Sequence, residues 1–219
     1  MDFNSKQARA ERIRWFQHDR FGMFIHWGLY AIPARGEWLR YYERVDDEHY
    51  EPYFREFNPV KYDPRQWARI AKAAGMKYAV LTAKHHDGFC LFDSAQTDFK
   101  STNTPCGRDL VREFVEAFRA EGLKVGLYFS LLDWHHPDFP EFDGIIHTDE
   151  YLKKNPRKGY DNYLKFMHAQ IEELLTNYGK IDILWFDYAY DELRGEAWRA
   201  TDLIRMVRRH QPDVIIDNR

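Results

Sequence analysis

The chain has 219 residues, a formal net charge of −3 and 17% aromatic residues. This length suits one large domain with a substantial core, and the near balance of charge argues against a nucleic-acid-binding protein. Two cysteines, Cys90 and Cys106, are too few for a disulfide framework, so we predict reduced thiols, with Cys90 in the core. Residues 1–17 are polar and charged, and no apolar run is long enough to span a bilayer, so we expect no membrane partner. We expect a cytoplasmic protein; a secreted or periplasmic location stays open as the alternative.

Strand-length apolar runs alternate with amphipathic helices along the chain. The runs are nearly continuous in apolar character, which is typical of parallel strands covered on both faces. The predicted strands span residues 22–27, 78–84, 125–130, 181–187 and 214–218.

Four helices are predicted between these strands, each with clear end signals. The first begins at Asp63-Pro64, an N-cap followed by a proline at the first helical position, and stops at Gly75. The other three carry apolar stripes over residues 110–118, 160–178 and 198–207, and they are closed by Gly122, Gly179 and Pro212. Strands alternating with helices predict an α/β fold with a parallel sheet.

Two architectures have this alternation, the open doubly wound sheet and the closed barrel. No glycine-rich phosphate-binding turn follows any predicted strand, which disfavours a nucleotide-binding open sheet. We therefore predict a (β/α)8 barrel of the TIM type. It is incomplete in this chain, because about five βα units are present where a whole barrel has about eight.

Polar and aromatic side chains follow every predicted strand. In a parallel barrel the carboxyl ends of the strands form the mouth of the active site. The residues at these ends are His26-Trp27, Lys84-His85-His86-Asp87, Tyr128-Phe129-Ser130, Trp185-Phe186-Asp187 and Asn218-Arg219. Together they predict a polar pocket ringed by histidine, tryptophan and arginine.

Asp187 is the candidate for the residue that performs chemistry, because a single carboxylate ends an apolar run there. The alternative is an aspartate that only caps the strand or the next helix. No Gly-x-Ser-x-Gly motif offers a serine nucleophile. A carboxylate nucleophile among side chains that recognise sugars implies glycosidic chemistry, in which a second carboxylic acid protonates the leaving oxygen.

The histidines at the strand ends allow three interpretations. Neutral imidazoles both donate and accept hydrogen bonds, as the recognition of sugar hydroxyls requires. A metal-dependent hydrolase using His26, His85 and His86 is an alternative, although adjacent residues of a strand point to opposite faces. Histidines satisfied within the loops are a further alternative. We expect no metal and no cofactor.

Four segments, in this order, resemble glycoside hydrolase family 29, the retaining α-L-fucosidases. They are residues 21–28 (FGMFIHWG), Glu37-Trp38, residues 84–89 (KHHDGF) and residues 184–187 (LWFD), and the resemblance runs from about Arg20 to Arg219. It implies a barrel of the TIM type, usually followed by a β-sandwich domain. It also implies release of terminal α-L-fucose, with retention of configuration, from fucosylated oligosaccharides or glycoconjugates.

The resemblance also assigns roles to particular residues. It implies that Asp187 is the nucleophile. It implies that the fucose ring and hydroxyls are held by His26, Glu37, Trp38, His85, His86, Tyr128, Trp185 and Arg219. Two positions depart from the family: Leu39 stands where an aromatic residue is frequent, and Tyr188 where glycine is common. We expect both to touch the rim of the pocket.

The acid/base carboxylate of the family lies beyond the fifth strand, and none of Glu37, Asp133 and Glu141 matches it. We therefore expect residues 1–219 to be the N-terminal portion of a single catalytic barrel domain, unstable or inactive alone. The remaining alternative is a carbohydrate-binding barrel that keeps the sugar pocket without catalysis.

Overall fold

A parallel five-stranded sheet forms the centre of the computed structural model, which describes residues 5–140, 147–189 and 193–217. Its strands are β1 (Gly22–Ile25), β2 (Tyr78–Lys84), β3 (Lys124–Ser130), β4 (Ile183–Asp187) and β5 (Ile215–Ile216). Each strand pairs with the next one in the sequence, in the order β1-β2-β3-β4-β5. A doubly wound sheet reverses its strand order, whereas a barrel does not. The predicted α/β fold with a parallel sheet is confirmed.

Helices connect the strands and flank the sheet. They are α1 (Lys6–Asp19), α2 (Leu39–Tyr42), α3 (Asp47–Glu56), α4 (Pro64–Ala73), α5 (Leu110–Ala120), α6 (Asp149–Lys154), α7 (Tyr160–Asn177) and α8 (Ala200–His210). Of these, α4, α5, α7 and α8 were predicted, although Trp198 belongs to a short 3-10 turn before α8. The helices α1 and α6 bury no residue among those described, so they lack the apolar stripe that identifies a helix in a sequence.

The sheet separates two apolar regions. Side chains alternate between its faces, so Leu81, Leu127 and Leu184 join the large core beneath the helices. Their neighbours Val80, Tyr128 and Ile183 lie on the other face, which is the interior of the barrel. Trp15 and Phe16 of α1 pack against this inner cluster.

The helix α1 covers the inner cluster at the amino ends of the strands. Trp15 and Phe16 contact the ring of Tyr78, the first residue of β2, with centroid separations of 5.9 and 5.3 Å. The Tyr78 ring lies across Gly22, where an added Cβ would come within 2.3 Å of it, so a larger residue there would displace the ring. With one end of the barrel interior filled, the carboxyl ends of the strands remain for a site.

Three strands are shorter than predicted, and one of them, β4, begins at Ile183. The strand β1 ends at Ile25 because the next backbone groups bond to a side chain: the Trp27 N–H donates to the Thr82 hydroxyl (3.1 Å), which donates to the Trp27 carbonyl (3.0 Å). The strand β5 is reduced to Ile215–Ile216, and residue 218 lies outside the described residues.

Among the helices of the described residues, none has the length and apolar character needed to cross a membrane. Cys90 is free and buried in the core, as predicted.

Candidate active site

Asp187 lies at the carboxyl end of β4 and is buried, with 7% of its surface exposed. Its carboxylate accepts a hydrogen bond of 2.7 Å from the Tyr128 hydroxyl and one of 2.8 Å from the Tyr188 backbone N–H. Tyr128 belongs to the neighbouring strand β3, where it pairs with Trp185. Residues 185 and 187 share a face of the strand, which is why Tyr128 reaches the carboxylate. These donors fix the orientation of Asp187.

The two positions that depart from the family are both buried: Leu39 is 2% exposed and Tyr188 is 5% exposed. That they touch the rim of the pocket stays a prediction. Tyr188 has a φ of +72°, in the left-handed region that favours glycine. This backbone angle is a physical reason for glycine at that position.

His86 is held by a serine on the adjacent strand end. Its Nδ1 lies 2.6 Å from Ser130 Oγ, and the Ser130 hydroxyl donates to the Leu132 carbonyl at 2.9 Å. Because a hydroxyl has one proton, Ser130 accepts from His86, and this network assigns a proton to Nδ1. The other ring nitrogen, Nε2, lies 3.7 Å from the Asp187 carboxylate. In the neutral ring Nε2 is therefore an acceptor beside Asp187, suited to a substrate hydroxyl.

His85 lies in an aromatic environment beside this pair. Its ring stacks on Tyr128, with centroids 5.3 Å apart and an interplanar angle of 10°. Burial, together with the neighbouring His86 and His26, lowers the pKa of His85 well below its usual value, so the imidazole is neutral. Its Nδ1 is buried and has no hydrogen-bond partner in the described part of the chain. A buried polar atom of this kind suits a ligand hydroxyl.

The remaining predicted residues lie around these histidines. His26 follows β1 and is exposed, with its ring 5.6 Å from those of His85 and Tyr128. Trp38 contacts the His86 ring edge-on at 4.9 Å. Trp185 is half-buried, and its Nε1 has no partner within the described ranges. An indole N–H is a donor for a hydroxyl oxygen.

Two predicted residues remain, Glu37 and Arg219. Glu37 is half-buried and immediately precedes Trp38. It is near enough to Tyr30 for its charge to add to the effect of burial, which raises the pKa of Tyr30. Arg219 lies outside the described residues.

Two other carboxylates at this end of the sheet have structural partners. Asp133 forms a buried ion pair with Lys84 (3.0 Å) and accepts from two backbone N–H groups of its own loop. Burial opposes its ionisation, but the Lys84 ammonium helps hold the pKa of Asp133 below its usual value. Asp87 accepts from the Tyr50 hydroxyl at 2.7 Å, and burial raises the pKa of Asp87 to about 6. Both side chains hold loops together.

The histidine cluster does not have the geometry of a metal centre. Within residues 5–140, 147–189 and 193–217, no group of three or more histidine, cysteine, aspartate or glutamate side chains is arranged to hold an ion. His86 uses Nδ1 for Ser130, and His26 meets His85 edge-to-face. The metal-dependent alternative therefore has no support from these residues.

Tyr30 is a site neighbour that sequence reasoning missed, whereas Ser130 was predicted at a strand end but was given no role of its own. Ser130 is in register with Asp187 on β3, so a hydroxyl at a strand end was the available signal. Tyr30 contacts the His85 ring at 5.4 Å from a short helical turn after β1. Nothing in the sequence spacing relates residue 30 to residue 85.

The fold and the site together define a class: a barrel of the TIM type with a polar pocket at the carboxyl ends of its strands. The chain belongs to the alpha-L-fucosidase family, whose model matches residues 2–219. Rat (Rattus norvegicus) tissue alpha-L-fucosidase is 33% identical over 226 residues, which cover 94% of this chain and 46% of the relative. The chain thus spans about half the length of the curated relatives it matches.

Solved structures agree with this assignment. Alpha-L-fucosidase isoenzyme 1 from Paenibacillus thiaminolyticus is 63% identical, with a TM-score of 0.90, and the match covers 96% of this chain and 51% of that one. An alpha-L-fucosidase from Bacteroides thetaiotaomicron is 35% identical, with a TM-score of 0.81 over 94% of this chain and 47% of that one. Resemblance to the family, stated above from four short segments, is confirmed.

Proposed function

We propose that the protein to which this chain belongs is an exo-acting retaining α-L-fucosidase with Asp187 as its nucleophile. The observation that carries this proposal is the cluster around Asp187: a buried strand-end carboxylate, oriented by Tyr128 and adjacent to His86. The surrounding His26, His85, Trp38 and Trp185 would bind the fucose, and Glu37 and Arg219 are assigned to the same task by their positions in the family's motifs.

The proposed reaction has two steps. The Asp187 carboxylate attacks the anomeric carbon as the bond to the leaving oxygen breaks, and a carboxylic acid gives that oxygen its proton. Water then cleaves the fucosyl ester, and the same acid group, now a base, takes the proton of the water. Two inversions at one carbon give retention.

Relatives support this chemistry. One structure from Bacteroides thetaiotaomicron, 35% identical, is described as a trapped covalent intermediate in complex with 2-fluoro-fucosyl fluoride. The fucosidase AlfC, 31% identical, is described in complex with Fucα(1,6)GlcNAc. We carry to this protein a covalent fucosyl intermediate and a fucosylated glycan as substrate, without assigning the linkage.

The acid/base carboxylate is not assigned to any described residue. Asp87 and Asp133 are engaged with Tyr50 and Lys84, so neither is available as a proton donor. We propose that the acid lies in a further segment of the protein, one that corresponds to the part of the relatives that this chain does not span. Sequencing the coding DNA beyond the Arg219 codon tests this: an open frame with further βα units and a loop Asp or Glu is expected, and a stop codon there contradicts it.

Replacement of the nucleophile tests the function in the full-length gene product. Asp187→Gly should abolish hydrolysis of an aryl α-L-fucoside, because no carboxylate remains to form the intermediate. Azide should restore turnover by attacking the anomeric carbon from the vacated side, giving β-L-fucosyl azide. The matched control Asp202→Gly removes an exposed helical carboxylate paired with Arg205 and should leave turnover unchanged.

Each other result has a definite meaning. Full activity in Asp187→Gly contradicts the assignment of the nucleophile. A parent protein that binds fucose but hydrolyses no fucoside indicates the carbohydrate-binding alternative. Loss of parental activity after exhaustive chelation indicates the metal-dependent alternative.

A further inference from the structure

Aromatic rings lead from the pocket to the protein surface along α2. Trp38 contacts His86 at 4.9 Å and the buried Trp134 at 5.4 Å. Beyond it, Tyr42 lies 5.9 Å from Trp38, with the two rings tilted by 34°. Tyr42 is 75% exposed, although Leu39 in the same helix is buried. We name Trp38 and Tyr42 the aromatic platform.

The short helix α2 fixes the platform in place. Residues 38 and 42 are four apart, so their side chains lie on the same side of the helix. The other side is anchored by Arg40, which is 1% exposed, forms an ion pair with Asp47 and donates to the Val45 carbonyl at 3.1 Å. A large aromatic side chain is thus exposed to solvent on an anchored helix. Because the ring is already positioned, little conformational entropy would be lost when a ligand binds to it.

We propose that Tyr42, at the outer end of the aromatic platform, binds the sugar ring to which the fucose is attached and is a specificity-determining residue for that ring. The inference rests on the proposed function. With fucose between Asp187 and Trp38, the leaving group must extend toward solvent, and Tyr42 is the exposed ring on the Trp38 side. A pyranose presents C–H groups to an aromatic face, and the Tyr42 hydroxyl can form a hydrogen bond with a sugar hydroxyl at the solvent-exposed edge of the ring.

A substrate without a leaving-group ring separates this role from the chemistry. The full-length gene product is assayed with α-L-fucosyl fluoride and with fucosyl-N-acetylglucosamine disaccharides, including Fucα(1,6)GlcNAc. The comparison with the fluoride uses the disaccharide that the parent protein cleaves fastest. Tyr42→Ala should lower kcat/KM for the disaccharide about three- to tenfold, mainly through KM, and leave the fluoride within about twofold. Tyr42→Phe keeps the ring and should recover most of the loss.

The control is Val60→Ala, at a side chain that is 79% exposed and lies outside the platform. It should change neither substrate. Equal losses on both substrates in Tyr42→Ala, no loss on either, or a parent that cleaves the fluoride but no disaccharide overturns the inference. A parent that leaves the fluoride intact contradicts the proposed function instead, and the inference with it.

Discussion

The ion pair between Lys84 and Asp133 gives a prediction whose size follows from the structure. Lys84 Nζ lies 3.0 Å from Asp133 Oδ2, and the side chains are 0% and 2% exposed. The ammonium also lies over the Phe129 ring, 4.4 Å from its centroid. This cation–π contact compensates only weakly for the hydration that Lys84 loses on burial. Removing one partner of such a pair leaves a buried charge, which costs about 3–5 kcal/mol.

Asp133→Asn is the sharpest form of this test. The amide oxygen can still accept from the backbone N–H groups of His135 and His136, so those bonds survive and the charge is lost. We expect the free energy of unfolding to fall by about 3–5 kcal/mol. The measurement is urea denaturation of the full-length gene product at neutral pH.

Two further variants make the reasoning refutable. Lys84→Met combined with Asp133→Asn should recover at least about 2 kcal/mol of the single-variant loss, because no charge remains buried. The exposed pair Asp202–Arg205 is the control, and Asp202→Asn should cost at most about 1 kcal/mol. A loss below about 1 kcal/mol in Asp133→Asn would refute the argument that burial gives this pair its importance.

Two other predictions concern the site and pH. Tyr128→Phe removes a charge-assisted hydrogen bond to Asp187, so kcat/KM for α-L-fucosyl fluoride should fall about ten- to hundredfold. The control Tyr62→Phe loses a buried hydroxyl bonded to the Leu110 carbonyl and should leave kcat/KM unchanged. Burial raises the folded-state pKa of Asp87 to about 6 from 3.8, so its ionisation destabilises the fold progressively as pH rises through this window. Asp87→Asn should therefore gain about 2 kcal/mol relative to the parent between pH 4 and pH 7.5 in urea denaturation. A difference that does not vary with pH contradicts the assignment.

Much of the fold was determined by the sequence itself. Four helices and five strands follow from local patterns: the Asp63 cap accepting from the Gln66 N–H (2.9 Å), and the nearly continuous apolar runs of strands covered on both faces. The carboxyl ends of β2, β3 and β4 also follow, since the residue that ends an apolar run must lie at the sheet edge. Asp187, His85, His86 and Tyr128 were therefore predicted to lie together, and they do.

The tertiary structure alone decided how those residues are used. Asp87 and Asp133 also follow predicted strands in the sequence, and the structure shows that they hold Tyr50 and Lys84. The proton on His86 Nδ1 depends on Ser130, and Arg40 of α2 pairs with Asp47 of α3. Each of these outcomes is set by which side chains from distant segments reach hydrogen-bonding distance when the elements pack. A hydrogen bond acts over about 3 Å, whereas sequence patterns report only on the burial of a residue and the conformation of its neighbours.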